Sequence, residues 1–132
     1  MTNLESLRSL QKRIREAKGA DRELDWIIAN TFKVYRDVFA MGASVITHLD
    51  APNFTLDPDG LGPCVALLDA VLPGAEFELN TIYGLAYVNL PLNAAEDETM
   101  QFVRRDDGNK CLAFCDAIVS TLIAKEEAKV TT

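Results

Sequence analysis

A chain of 132 residues, 48% apolar and 25% charged, is one domain's worth of ordinary globular composition rather than a disordered or fibrous one. Its net charge of −7 argues against a sequence-independent grip on DNA or RNA, which needs a broad cationic surface. No apolar run approaches the roughly 18–20 residues that span a bilayer, and three cysteines without a scaffold spacing fit a reducing compartment.

No basic region leading into an apolar stretch opens the chain, so the expected location is the cytosol. The first helix is predicted over Asn3 to Lys18, with Leu4, Leu7, Leu10 and Ile14 as a narrow apolar stripe. That stripe either packs on its own domain or anchors a neighbouring subunit, which makes residues 1–18 a candidate for homo-oligomer assembly. Gly19 is expected to end the helix in the left-handed conformation. Asp21 then caps a second helix, with Glu23 in its first turn and Leu24, Ile27 and Ile28 facing inward.

Residues Phe32 to Asp59 carry no clear period, and the turn residues Asp50-Ala51-Pro52-Asn53 and Asp57-Pro58-Asp59-Gly60 punctuate them. Pro63 suits the first turn of a third helix bearing Val65, Leu67, Leu68, Val71 and Leu72, ended by Pro73-Gly74. From there the period changes to two. Phe77, Leu79 and Thr81 alternate with Glu76, Glu78 and Asn80, predicting a half-buried strand. Tyr83-Gly84 turns into an apolar central strand, Leu85 to Leu90, and a third strand from Met100 ends in Arg104-Arg105. After Asp107-Gly108-Asn109, a last amphipathic helix runs to about Lys129 on Cys111, Leu112, Cys115, Ile118, Val119, Leu122 and Ile123. Short connections predict an antiparallel meander, and helices at both ends of the chain predict a single α/β domain, an α-β-α sandwich over residues 1–132.

The candidates for chemistry are few. Cys64, Cys111, Cys115 and the lone His48 total four potential zinc ligands, but the thiols fall on an apolar stripe and read as core. Glu96, Asp97 and Glu98 read as a solvated loop, so neither metal nor cofactor is expected. Gly60-Leu61-Gly62 lacks the lysine of a phosphate loop. Arg104 and Arg105 remain: two adjacent arginines at a strand end cannot both point into the core, and guanidinium groups pair bidentately with phosphates. The alternative is a solvated turn in which Asp106 and Asp107 neutralise them and cap the helix. Tyr83, Tyr87 and Phe102 are either ring faces for a base or core residues.

Leu4-Glu5-Ser6-Leu7 with Gly19-Ala20-Asp21-Arg22-Glu23-Leu24-Asp25 resembles the opening of the phage ABA-sandwich domain family. Phe54-Thr55-Leu56-Asp57, Leu67-Leu68-Asp69-Ala70-Val71-Leu72-Pro73-Gly74 and Lys110-Cys111-Leu112-Ala113-Phe114-Cys115-Asp116-Ala117 are similar to later parts of it. Residues Tyr35 to Ala51 stand as an insertion, and Arg104-Arg105-Asp106-Asp107 is more charged than that pattern. The resemblance implies a phage origin and an α-β-α sandwich, and carries no activity. Small phage α/β proteins of this build include the anti-Thoeris sponges, oligomers that bind cyclic ADP-ribose isomers without cleaving them. That implies a non-enzymatic binder of a small anionic nucleotide, with no nucleic-acid polymer or membrane as partner. Arg104 and Arg105 would hold phosphates, Tyr83, Tyr87 or Phe102 would stack the base, and Asp106 or Asn89 would bind ribose hydroxyls. The other reading is a small accessory module that binds a protein.

Overall fold

The computed structural model describes residues 4–32, 52–57, 60–72, 77–82, 85–91 and 100–131. Four helices lie among them: α1 (Leu4–Glu16), α2 (Arg22–Phe32), α3 (Leu61–Val71) and α4 (Lys110–Thr131). Three strands, β1 (Glu78–Ile82), β2 (Leu85–Pro91) and β3 (Met100–Arg105), form one antiparallel sheet in the order β1-β2-β3. The meander with β2 in the centre is the one that the short connections and the apolar Leu85–Leu90 run predict. Residues 33–51, with His48, lie outside the described residues, as do Pro73-Gly74, Tyr83-Gly84 and the Glu96-Asp97-Glu98 run.

Leu7, Leu10 and Ile14 of α1 are buried, and α1 packs along α4, so the leucine stripe is consumed inside the chain. Polar links flank that seam: Arg8 Nη2 donates to Glu127 Oε2 (3.1 Å), Gln11 Nε2 to Ser120 Oγ (2.8 Å) and Arg15 Nε to Asp116 Oδ2 (3.1 Å). Ascending numbers on α1 meet descending numbers on α4, which makes the pair antiparallel.

The end of α1 departs from expectation. The helix stops at Glu16, and among the described glycines only Gly108 has a positive φ, 76°. Gly19 is therefore not the left-handed cap. A side chain does that work instead: Arg105, arriving from β3, donates to the carbonyls of Ile14 (2.9 Å) and Ala17 (2.7 Å). A guanidinium at a helix C-terminus both satisfies orphan carbonyls and complements the macrodipole.

Asp21 caps α2 as expected, its Oδ1 accepting from the Leu24 N–H at 3.1 Å. Asp25, one turn inside, is buried and holds the 52–57 segment down. Its Oδ1 accepts from both the N–H and the hydroxyl of Thr55 (2.9 Å each), and its Oδ2 from Arg22 (3.0 Å). Burial pushes the Asp25 carboxyl above its ordinary range, against the pull of the Thr55 and Arg22 donors.

Helix α4 is the largest correction. An amphipathic stripe was expected, yet every residue from Cys111 to Val119 is buried, Ala113, Phe114 and Ala117 included. The reason is position. Helix α4 touches all three strands as well as α1 and α3, so it has no wet face over that span. Phe114 also meets Phe77, ring centroids 4.8 Å apart and tilted 56°. The cap differs too. Asn109 rather than an aspartate caps α4, its Oδ1 accepting from Leu112 N–H at 2.9 Å, while Asp107 accepts from Asn109 N–H at 3.0 Å.

Candidate functional site

The two arginines at the end of β3 part company because successive strand residues point to opposite faces. Val103 is buried on the α4 side, so Arg105, two residues on, shares that side and reaches the end of α1. Its side chain is only 10% exposed and is committed. Besides the two carbonyls, it grips Asp107 bidentately, Nε to Oδ1 at 3.0 Å and Nη2 to Oδ2 at 2.6 Å. Arg105 holds the Asp107 carboxyl below its ordinary value, with Asn109 N–H adding to the effect against a smaller opposing push from burial.

Arg104 faces the other way. Its side chain is 55% exposed and, among the described residues, is paired with Asp106, itself 75% exposed, at 3.2 Å. An ion pair this wet is worth about 0–1 kcal/mol and exchanges readily for another anion. The register sets Tyr87 opposite Arg104 and Asn89 opposite Phe102. By the two-residue period, Tyr87, Asn89, Phe102 and Arg104 occupy positions on one face of the sheet, opposite that of Val103. Tyr83 lies outside the described residues.

Beside this strand end lies a cleft of about 630 Å³, walled by the end of α1 (Arg15 to Lys18), the turn Val103 to Asp107, and Asp116 of α4. It brings together Arg104, Arg105 and Asp106 from the sequence-based candidates and adds Arg15 and Lys18. Arg15 pairs with Asp116, which is buried and also accepts from the Ser120 hydroxyl at 3.0 Å. Cations and carboxylates alternate around the cleft, so a ligand that presents both anionic and hydroxyl groups matches it better than a bare anion. Nothing in the spacing of one sequence marks Arg15 or Lys18. They enter only because Arg105 draws the end of α1 against β3.

The cysteines are core, as read. Cys64, Cys111 and Cys115 are free and buried, and among the described residues no His, Cys, Asp or Glu cluster is arranged to hold a metal. Asp57 sits against the start of α4, its Oδ1 3.3 Å from Lys110 Nζ and its Oδ2 accepting from Lys110 N–H at 3.4 Å. The Oδ1 atom is buried and has the ion pair but no aligned hydrogen bond. No helix among the described residues is long and apolar enough to cross a membrane. Compared with protein-family models, curated proteins and solved structures, the chain matches none.

Proposed function

We propose that this protein binds and sequesters a small anionic nucleotide, of the cyclic ADP-ribose or cyclic oligonucleotide class, without cleaving it. The observation that carries the reading is the cleft at the end of β3, whose volume falls in the range of small-molecule sites and whose exposed cations include Arg104 and Lys18. Arg104 exchanges Asp106 for a phosphate, with Arg15 and Lys18 on the facing wall. Asp106, released, accepts from ribose hydroxyls, and the ligand reaches round the end of β3 to the other face of the sheet, where Asn89 meets a further hydroxyl and Tyr87 or Phe102 stacks the base. Arg105 is withdrawn from direct contact, since four of its five N–H donors are already used on α1 and Asp107.

The same reading takes the fold as an α-β-α sandwich, with a second helical layer over the far sheet face that leaves the Tyr87–Arg104 strand end open to the ligand. It also takes the protein as a phage-encoded homo-oligomer acting in the host cytosol against a nucleotide-signalled defence. Because the α1 stripe is used internally, the subunits meet through some other surface.

Isothermal titration with cyclic ADP-ribose isomers and cyclic oligonucleotides tests the site. One of them binds, and Arg104→Ala weakens binding at least tenfold, about 1.4 kcal/mol, with no change in melting temperature. The bound nucleotide is recovered intact after the protein is denatured. No heat with any of the panel, or full affinity in Arg104→Ala, overturns this reading. One observation favours a second reading, a protein-interaction module: Glu16, Asp106 and Asp107 alternate with the cations of the cleft, a pattern that also suits the mixed charges of a polypeptide. A partner retained from infected cells with no nucleotide in the purified complex would select it.

A further inference from the structure

Away from the cleft, the seam between α3 and α4 holds the three thiols. Cys64 on α3 and Cys115 on α4 bring their sulfurs to 3.6 Å, and both side chains are essentially inaccessible to water. Cys111, one turn before Cys115, contacts Cys64 as well; the Cys64 sulfur lies 3.9 Å from its carbonyl oxygen. The thiols use the carbonyls of the 52–57 segment as acceptors, Cys64 with Phe54 at 3.3 Å and Cys111 with Leu56 at 3.5 Å. Gly60 lets this segment close over them, since a Cβ there would overlap the carbonyl oxygens of Asn53 and Phe54.

We propose that Cys64 and Cys115 form an oxidation site, at which an oxidant of the peroxide class joins them in a disulfide that staples α3 to α4. The two sulfurs come from different helices, and closing the contact to a bond of about 2.05 Å moves them together by only about 1.5 Å. The chemistry balances with the peroxide alone. One sulfur, as thiolate, takes an oxygen atom and becomes a sulfenic acid, releasing hydroxide; the second thiol attacks that sulfur and water leaves. Two electrons pass from the thiol pair to the O–O bond. In the resting protein the reaction is restrained, because Cys64 is held in its thiol form, its pKa raised well above the ordinary value by contact with Cys111 and Cys115 and by burial. The closed bond spans 51 positions of sequence, so it restricts the unfolded chain and stabilises the α3–α4 packing.

The full chain is treated with hydrogen peroxide, remaining thiols are alkylated, and the unreduced digest is mapped by mass spectrometry. The expected product joins Cys64 to Cys115, leaves Cys111 alkylated, melts at a higher temperature and reverts with dithiothreitol. Cys111→Ser keeps the link and the rise in melting temperature, while Cys115→Ser loses both. Mapping of the unmutated chain is decisive by itself if a variant fails to fold. A link from Cys64 to Cys111, or three alkylatable thiols after a peroxide dose that oxidises a free dithiol, overturns the proposal.

Discussion

Arg104 and Arg105 are neighbours in sequence with opposite employments, and their burial separates them. Arg105 donates to two carbonyls at the end of α1 and to both oxygens of Asp107 from a nearly buried position. Removing it takes the side-chain donor from the Ala17 carbonyl and leaves the Ile14 carbonyl only the Ala17 N–H at 3.3 Å, at a cost of about 1–3 kcal/mol. Arg104 gives up one exposed ion pair, so Arg104→Ala stays within about 0.5 kcal/mol of the parent. Urea unfolding of the two variants checks this contrast; equal losses would remove the distinction. Asp107 adds a pH dependence whose sign follows from its shift. Its folded-state pKa lies below the ordinary 3.8, so its contribution is present above that value and is lost as pH falls through the folded pKa. The stability gap between the parent and Asp107→Asn is therefore constant above about pH 5 and shrinks on acidification below pH 3.8. Unfolding curves collected from pH 3 to pH 7 show whether it does.

Elements were legible where one rule settles them. Apolar steps of three and four mark α1, Asp21 marks the start of α2, and the alternation at Leu79 marks β1. Other features were not legible, because they depend on what arrives from elsewhere in the chain. The end of α1 looks like a glycine cap until Arg105 of β3 takes its carbonyls, 91 positions away. The stripe on α4 looks amphipathic until sheet, α1 and α3 cover it on all sides. The cleft has the same origin: Arg104, Arg105 and Asp106 stood out as a charged run, while Arg15 and Lys18 have no mark in the sequence. The cap of α4 was misplaced by two residues for a local reason. Asp107 and Asn109 are both good caps, and Asp107 is occupied by Arg105, which leaves Asn109 to bind Leu112 N–H. Asn109→Ala thus costs about 1 kcal/mol, and Asn109→Asp, which keeps the acceptor, costs less. Thermal melts of the two variants decide, and an undiminished Asn109→Ala would return the cap to Asp107.

At the scale of the molecule, the question is whether α1 belongs to the core or is an arm held out for a second subunit. Its three inward residues, Leu7, Leu10 and Ile14, are each 2% exposed or less, and they belong to one continuous cluster with Leu24, Leu67, Val103 and Ile118. Burying three such side chains contributes about 5–9 kcal/mol, a large part of the roughly 5–15 kcal/mol that holds a domain of this size together. Helix α1 also supplies the carbonyls that fix Arg105, and so one wall of the cleft. Deleting residues 1–18 should therefore abolish cooperative unfolding altogether, and Leu10→Ala alone should cost about 3 kcal/mol. An arm used only for assembly behaves differently. Its removal leaves a folded monomer with an unchanged melting transition and a smaller mass in light scattering. Circular dichroism and light scattering on the truncated chain distinguish the two outcomes. The packing of Ile14, with no exposed surface, predicts loss of the fold.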